Sequence, residues 1–387
     1  MAEDFSTSQL IIPGTFIRVR AEGLISVGGI STGNIGIVGT AVKMIPKLKA
    51  DGTPEVDGDG NPVLEADSSI YGKTFTLSDY ESARNTFGDY DAMSTGKLNL
   101  NRGIEQLYLN GARTVYARAF KNTPAPKQDD FIAAFNELAK DNVNIFVAPE
   151  LTTDTAKAVF SSVLETAENN GKDIIAVIGS DKTSKDDIKG QVTANDRIIL
   201  AAPGIMAFDA VAGSEVTLSG TYTAAVVAGL LSTLVPQSSP TNKVVSGVTK
   251  LAQRFSYGET KDLISGGVLV LEERLGIRAV RGITTEMANN GPFKQITTRR
   301  ITDFAKAGIR QAADPFIGRL NNVRVRKALQ TTIDGFLTTM VQDEALVGYN
   351  LQVTATRQDE IAGRAVVNAT LLPTFSIDFV TVTLVLE

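Results

Sequence analysis

The chain has 387 residues, of which 43% are hydrophobic and 21% charged, a balance typical of folded proteins with sizeable cores. Its formal net charge of −5 argues against a nucleic-acid-binding protein, because such proteins carry a basic excess. The chain has no Cys, which excludes disulfides and thiolate zinc sites, and no His, the commonest general base and metal ligand. This composition suits an enzyme poorly and leaves carboxylate or lysine chemistry as the open catalytic routes.

The first twenty residues predict an extended arm. Pro13 and Gly14 break the chain, and residues 17–20 then alternate apolar and basic side chains as a short strand does. The start of the sequence lacks the basic and apolar regions of a signal peptide, and no run reaches the ~18–20 apolar residues of a membrane span. We therefore expect a soluble protein made in the cytoplasm.

Residues 21–128 predict a β-rich region. The glycines at positions 28, 29, 33, 36 and 39 run into a predicted buried strand. They favour tight turns and close strand contacts over a phosphate loop, since no Gly-Lys-Ser/Thr follows. The polar stretch 51–62 predicts the tip of a hairpin. Its Asp-x-Asp-x-Asn spacing superficially resembles a calcium loop, but Pro62 and Ser68 occupy the positions that such a loop gives to Gly and Glu.

Residues 129–275 predict an α/β domain with a largely parallel sheet. Continuous apolar strands near 144–148, 174–178 and 197–201 alternate with amphipathic helices, the second of which Asp154 can cap. A helix over 222–234 is apolar all round and is expected to be buried. The acidic pairs at 129–130 and 186–187 suit helix starts.

The segment 219–229 resembles the nucleophile region of subtilisin-like proteases. Its closing Val-Ala-Gly agrees with that region, but Thr221 falls at the nucleophile position and Val226 replaces the His. Because a catalytic triad needs a base and the chain has no His, the similarity indicates a scaffold without catalysis.

Residues 276–387 predict an α+β domain. Apolar residues recur at helical spacing from Leu329 to Met340, and three strand-like runs follow, near 351–355, 365–372 and 375–386. The last run changes phase, with Phe375, Ile377 and Phe379 on one face and the valines and leucines from Val380 onward on the other. We expect residues up to Phe379 to pack on their own domain and those from Val380 to pair with a neighbour, since a free apolar edge invites pairing.

Several blocks of the chain, in order and spacing, resemble the tail sheath proteins of contractile phage tails and related injection systems. They are residues 13–19, 28–41, 80–90, 111–118, 300–304, 315–318, 321–322, 333–337 and 363–367. The resemblance implies four parts: an arm over 1–20, an N-terminal β-rich domain over 21–128, a subtilisin-like non-catalytic domain over 129–275, and a C-terminal domain over 276–387 that ends in a donated strand.

The resemblance also implies a structural role. Sheath subunits of this family stack around a tail tube, and each donates its terminal strands to neighbours by β-augmentation. The residues expected in the exchanged strands are Phe16, Ile17, Arg18, Val19, Val380, Val382, Leu384 and Leu386. The candidate tube-facing residues, on the helix near 323–343, are Arg324, Arg326, Lys327 and Asp334. The cations at 299–300 and 324–327 would otherwise be solvated faces or a docking surface.

The implied partners are further copies of the chain, six to a ring, together with tail tube, baseplate and tail terminator proteins. No cofactor, direct nucleic-acid contact or membrane insertion is implied, and the expected location is the tail of a virion or phage-tail-like particle assembled in a bacterial cytoplasm. Contraction would release free energy stored at assembly by repacking interfaces. Two alternatives stay open: a degenerate hydrolase with an unusual base, and another self-assembling β-rich coat or adhesin.

Overall fold

The computed structural model describes residues 29–89, 99–209 and 212–385. These residues form two compact units: a central unit of residues 31–306 and 373–385, and a C-terminal unit of residues 307–372 with residues 29–30. The predicted N-terminal arm, with Phe16, Ile17, Arg18 and Val19, lies outside the described residues, and so does Leu386. Within the described ranges, no helix has the length and apolar character needed to cross a bilayer.

The central unit is built on an eight-stranded sheet. The strands of the whole unit, including those of two smaller sheets, are β1 (Ile35–Thr40), β2 (Met44–Pro46), β3 (Leu64–Ala66), β4 (Phe75–Leu77), β5 (Val115–Phe120), β6 (Ile145–Val147), β7 (Ile175–Gly179), β8 (Ile198–Ala202), β9 (Ile205–Asp209), β10 (Ser214–Thr217), β11 (Lys250–Leu251), β12 (Val268–Glu273) and β13 (Ile277–Ala279). The large sheet has the order β13-β12-β8-β7-β6-β1-β5-β4. Its six inner strands run parallel, and the edge strands β4 and β13 are antiparallel.

Helices cover both faces of this sheet, as a parallel sheet requires. They are α1 (Tyr80–Phe87), α2 (Leu100–Leu109), α3 (Gln128–Leu138), α4 (Thr153–Asn169), α5 (Lys185–Gly190), α6 (Thr223–Thr233), α7 (Tyr257–Ser265) and α8 (Ile296–Ala313). One core contains buried residues of α1, α2 and α6, and the other contains buried residues of α3, α4, α5 and α7. The α/β architecture predicted for this region is confirmed.

The sheet also corrects the predicted domain division. Strands β1, β4 and β5 belong to the same sheet as the strands after residue 129, so residues 21–128 do not form a separate β-rich core. The reason is pairing: β1 lies between β5 and β6 and is parallel to both. The hairpin predicted around 51–62 is present as β2 and β3, and the Asp57 carboxylate accepts hydrogen bonds from the backbone N–H groups of Asp59 and Asn61.

Two local predictions of helices have different outcomes. Helix α6 is buried along nearly its whole length, as its apolar composition predicted, and Gly229 lies so near α2 that a Cβ would be 2.7 Å from the Leu107 carbonyl oxygen. The predicted cap of α4, Asp154, was two residues too late. Thr152 caps it, and Asp154 lies in its first turn, where its charge favours the helix dipole.

The C-terminal unit contains the end of α8 and the elements α9 (Val323–Gln342), β14 (Leu346–Thr354), α10 (Arg357–Ile361) and β15 (Val366–Pro373). Its core is the predicted apolar stripe of α9 packed on β14, with the Phe336 ring seated against Gly308. The division between the units falls inside α8, at 306/307, rather than at 276, because β13 joins the large sheet.

Candidate assembly interface

The segment that follows β15, residues 374–385, is called the terminal segment here. It forms no strand pairing with any other described residue. Its apolar side chains lie in solvent: Phe375 is 59% exposed, Ile377 82%, Val380 80% and Leu384 85%. A run of this kind, apolar and unpaired, is a ready strand for another chain.

The direction of the segment's first half differs from the prediction. Phe375, Ile377 and Phe379 were expected to pack on their own domain, and the structure turns them outward. Strand-like alternation instead points Ser376 and Asp378 toward the central unit, because the body offers them polar partners rather than an apolar groove.

A polar anchor holds these inward residues. The Asp378 carboxylate accepts hydrogen bonds from Arg281 Nε at 2.8 Å and from Gln295 Nε2 at 3.1 Å. The Ser376 backbone N–H donates to Gln295 Oε1 at 3.4 Å, and the Arg281 guanidinium lies 5.1 Å from the centre of the Phe379 ring. The side chains of Arg281 and Asp378 are only 15% and 7% exposed, which makes their ion pair stronger than a surface pair.

A cavity of about 710 Å³ opens beside this anchor, between α7 and β12. Asp378 and Phe379 form part of its wall, and its other charged lining residues carry both signs. Within the described residues, no group of three or more acidic side chains is arranged to hold a metal ion.

The β14–β15 sheet has two strands and therefore two edges. Val347 and Leu372 on it are 71% and 57% exposed, and no residue of β15 is buried. Neither strand contains a charged residue, the usual protection of a sheet edge. On the other side, β14 packs on α9, where Gln330 donates to the Leu351 carbonyl. The sheet is thus supported from one face, and no other described strand pairs with its edges.

The four candidate tube-facing residues on α9 do not share one environment. Arg324 and Lys327 are exposed. Arg326 is 11% exposed and donates to Asn321 and Glu360, at 2.8 and 3.0 Å. Asp334 is exposed and accepts a hydrogen bond of 2.7 Å from the Tyr349 hydroxyl. Arg324 and Lys327 are therefore the exposed cations of this set.

The expectation of a solvated or docking face at 299–300 is wrong, since Arg299 and Arg300 are 5% and 6% exposed. Arg299 binds Asp196 and Asp303, each at 2.7 Å, and Asp303 also binds Arg197 at 3.0 Å. Further ion pairs of this network join Arg197 to Glu168 and Asp173, and Lys306 to Glu168 and Asp173. The network fixes the first part of α8 to the central unit.

The segment that resembles a protease nucleophile region has a packing role in this fold. The Thr221 hydroxyl donates to Ser219 Oγ at 3.0 Å, Thr221 is 5% exposed, and Val226 is fully buried. Close by in sequence, the Tyr222 hydroxyl donates to the Asn99 carbonyl. None of these contacts supplies a base to a nucleophile.

A buried carboxyl group at the carboxyl edge of the sheet was missed in the sequence. Glu150 accepts hydrogen bonds from the Thr40 backbone N–H at 2.8 Å and from the Thr40 hydroxyl at 2.7 Å. The residue as a whole is only half-buried, but its carboxyl group is surrounded by protein, and this burial raises its pKa to about 7. No sequence signal distinguishes Glu150 from a surface acid.

The anchor residues Arg281 and Gln295 were also missed, although Asp378 carried a signal. It is the only charge in the otherwise uncharged run 375–386, and a lone charge on an apolar strand needs a partner.

Two protein-family models match most of this chain. The family model described as the phage tail sheath protein central domain matches residues 125–285, and that of the phage tail sheath C-terminal domain matches residues 288–387. The chain belongs to the phage tail sheath protein family. The residues that these models match include the strands of the large sheet from β6 onward, the polar anchor, α9 and the terminal segment. A comparison with curated proteins gave no match.

Solved structures with the same fold come from contractile systems. A chain in the baseplate of the anti-feeding prophage matches with a TM-score of 0.73 and 16% identity, covering 97% of this chain and 99% of that one. A chain in the contracted sheath complex of an extracellular contractile injection system (PVC) gives 0.71 and 15%, covering 97% and 98%. The sheath tail protein of Desulfitobacterium hafniense gives 0.62 and 13%, covering 93% and 100%. At these identities the likeness shows the shared fold.

Proposed function

We propose that this sheath protein is the repeating subunit of a contractile sheath and is linked to its neighbours by exchanged β-strands. The observation that supports this most strongly is the terminal segment, an apolar run that pairs with no other described strand. The chain also carries an uncharged two-stranded sheet whose edges are unpaired among the described residues. In this arrangement the chain has both a donor strand and an acceptor sheet.

The donor is the part of the terminal segment beyond the anchor. Val380, Val382 and Leu384 are 80%, 70% and 85% exposed and share one phase, so one face of a donated strand would be wholly apolar. Phe16, Ile17, Arg18, Val19 and Leu386 remain the proposed exchange residues outside the described part of the chain.

The acceptor is the β14–β15 sheet of a neighbouring copy. Its edges expose backbone N–H and C=O groups, so an added strand gains main-chain hydrogen bonds without specific side chains. The exposed apolar residues of this sheet, among them Val347 and Leu372, would gain apolar side chains of the added strand as neighbours within the sheet. Sheet extension would therefore supply hydrogen-bond partners and apolar contacts to the donor and the acceptor at once.

A proline test addresses the backbone pairing directly. Val382→Pro removes one N–H and fixes φ, whereas Val382→Thr keeps a β-branched residue with its N–H. We expect the proline variant to lower the sedimentable polymer about tenfold relative to the threonine variant, since the loss of about 1.4 kcal/mol per junction has that effect. Negative-stain electron microscopy should show hollow striated tubes only with threonine.

Deletion of residues 380–387 is the companion variant, and the thermal midpoint of the soluble protein is the control for folding. Normal tubes from both the deletion and the proline variant would refute strand exchange.

The remaining features of the proposal come from the family and from the neighbours' assemblies. We propose rings of six subunits around a tail tube, with baseplate and terminator proteins at the ends, in the tail of a phage or phage-like particle. Contraction would follow from repacking of the interfaces between bodies while the strand links persist. A catalytic role is not part of this proposal, because relatives with this fold are structural and Thr221 serves packing.

A further inference from the structure

Two segments connect the chain ends to the central unit: residues 31–34, called the N-terminal root here, and residues 376–378, called the C-terminal root. Both form hydrogen bonds with the start of α8 or the residue before it. The C-terminal root is held by Gln295, the residue before α8, through Ser376 and Asp378, and Arg281 binds the same Asp378 carboxylate. The N-terminal root is held by Arg300, in the second turn of α8, which donates to the Thr32 carbonyl at 3.1 Å.

The N-terminal root has further contacts that fix its path. Arg300 also donates to the Leu234 carbonyl at 2.8 Å, at the end of α6. The Asn34 N–H and the Ser31 hydroxyl both donate to Asn144 Oδ1 at 3.1 Å. The root is thus pinned between α6, β6 and α8 by buried or half-buried polar groups.

Gln295 and Arg300 are five positions apart, which is about 8 Å along a helix axis. The same helix start is fixed to the body by the ion pairs of Arg299 with Asp196 and of Asp303 with Arg197. The start of α8 is therefore an element that a pull on either root reaches directly.

We infer that the start of α8 is a common anchor that sets where both exchanged arms leave the body and passes tension from one to the other. This inference rests on the strand exchange proposed above, and its partners are other copies of this chain. The anchor also sets the free length of the donor. Residues 380–387 span about 26 Å when extended, and release of residues 374–379 would add about 20 Å.

The test uses Asp378→Asn in the full-length chain, because it keeps the side chain's size and removes the charge to which Gln295 and Arg281 both donate. We expect the Ser376 amide to exchange its hydrogen about tenfold faster, in line with the loss of a charge-assisted hydrogen bond. Sheaths should still form, but with a wider spread of ring-to-ring twist in electron microscopy and dissociation at lower guanidinium concentration.

Two further variants make the result specific. The double variant Arg281→Asp with Asp378→Arg swaps the two charges. It should restore slow hydrogen exchange at the Ser376 amide and the narrow spread of ring-to-ring twist. No such recovery is expected if Asp378→Asn acts only by a general loss of stability. Glu165→Gln removes an exposed carboxylate of α4 and should behave as the unmodified protein.

The outcomes separate the two proposals. If the deletion of 380–387 and the Val382→Pro variant both assemble normally, strand exchange is wrong and the anchor inference falls with it. If the deletion blocks assembly while Asp378→Asn leaves amide exchange, twist and dissociation unchanged, the exchange stands and the anchor inference alone is overturned.

Discussion

Glu150 is a single buried acid whose ionisation lowers the stability of the folded protein. Its carboxyl group sits at the end of the parallel sheet and holds Thr40, the last residue of β1, through two hydrogen bonds. Burial raises its pKa to about 7, so the protonated form is preferred in the folded state. For a raised carboxyl pKa, the contribution to stability is complete below the unfolded value, near 4.5, and is lost as the pH rises through about 7.

We predict that Glu150→Gln flattens this pH dependence. The amide oxygen can accept from the Thr40 N–H, and the amide nitrogen can donate to the Thr40 hydroxyl, so the contacts of the neutral acid are kept. At pH 8 the variant should be more stable than the unmodified chain by about 2–3 kcal/mol, and at pH 5 nearly equal. Thermal denaturation at both pH values measures this, with Glu165→Gln as control. Parallel pH profiles for the two chains would contradict the prediction.

Among the elements, α9 shows what periodicity reveals and what it leaves open. Its apolar stripe from Leu329 to Met340 was predicted from spacing and is buried as expected. The prediction that its cations share one face was not met, because side chains two positions apart on a helix are rotated by about 200° around its axis. Arg324 and Lys327, three apart, share the exposed side, and Arg326 turns to Glu360.

This difference sharpens the test of the tube-facing hypothesis. We predict that Arg324→Glu with Lys327→Glu weakens assembly templated on an acidic tube surface several-fold, more at low salt than at high salt. Arg326 is left unchanged, because its reversal would oppose Glu360 and disturb the fold. The matched control is Lys49→Glu with Arg113→Glu, two exposed sites of the central unit. Equal co-sedimentation with tubes for both double variants would refute the hypothesis.

The terminal segment shows the limit of sequence reasoning about strands. Its strand-like alternation and its change of phase are legible, but a period of two does not say which face meets a body. That choice was made by Arg281 and Gln295, about 80 to 100 positions away in sequence, and no local pattern encodes such a partnership. The same holds for β1, whose burial is readable while its place between β5 and β6 is not.

At the scale of the whole molecule, the sequence predicted the class of each region better than the boundaries between them. The α/β and α+β regions are present, but the first strand of the chain's described part completes a sheet whose last strand comes some 240 residues later. Long-range pairing of this kind depends on tertiary contacts that a single sequence does not display.

We predict that removal of residues 1–20 separates folding from assembly. The central and C-terminal units keep their cores, so the thermal midpoint should change little, since the deleted arm is expected to add its strand to another subunit. Electron microscopy should find no ordered sheath that contracts. Normal contraction by the truncated protein would show that the N-terminal arm is dispensable.

The proposed donor segment and the proposed acceptor sheet occupy different parts of one chain, and such an exchange would have a consequence for size. A head-to-tail contact between unlike surfaces leaves a fresh donor and a fresh acceptor at the ends of every growing assembly. Each addition is then equivalent to the last, and no subunit carries information about how many have been added. The length of the finished structure must therefore be measured by something other than this protein.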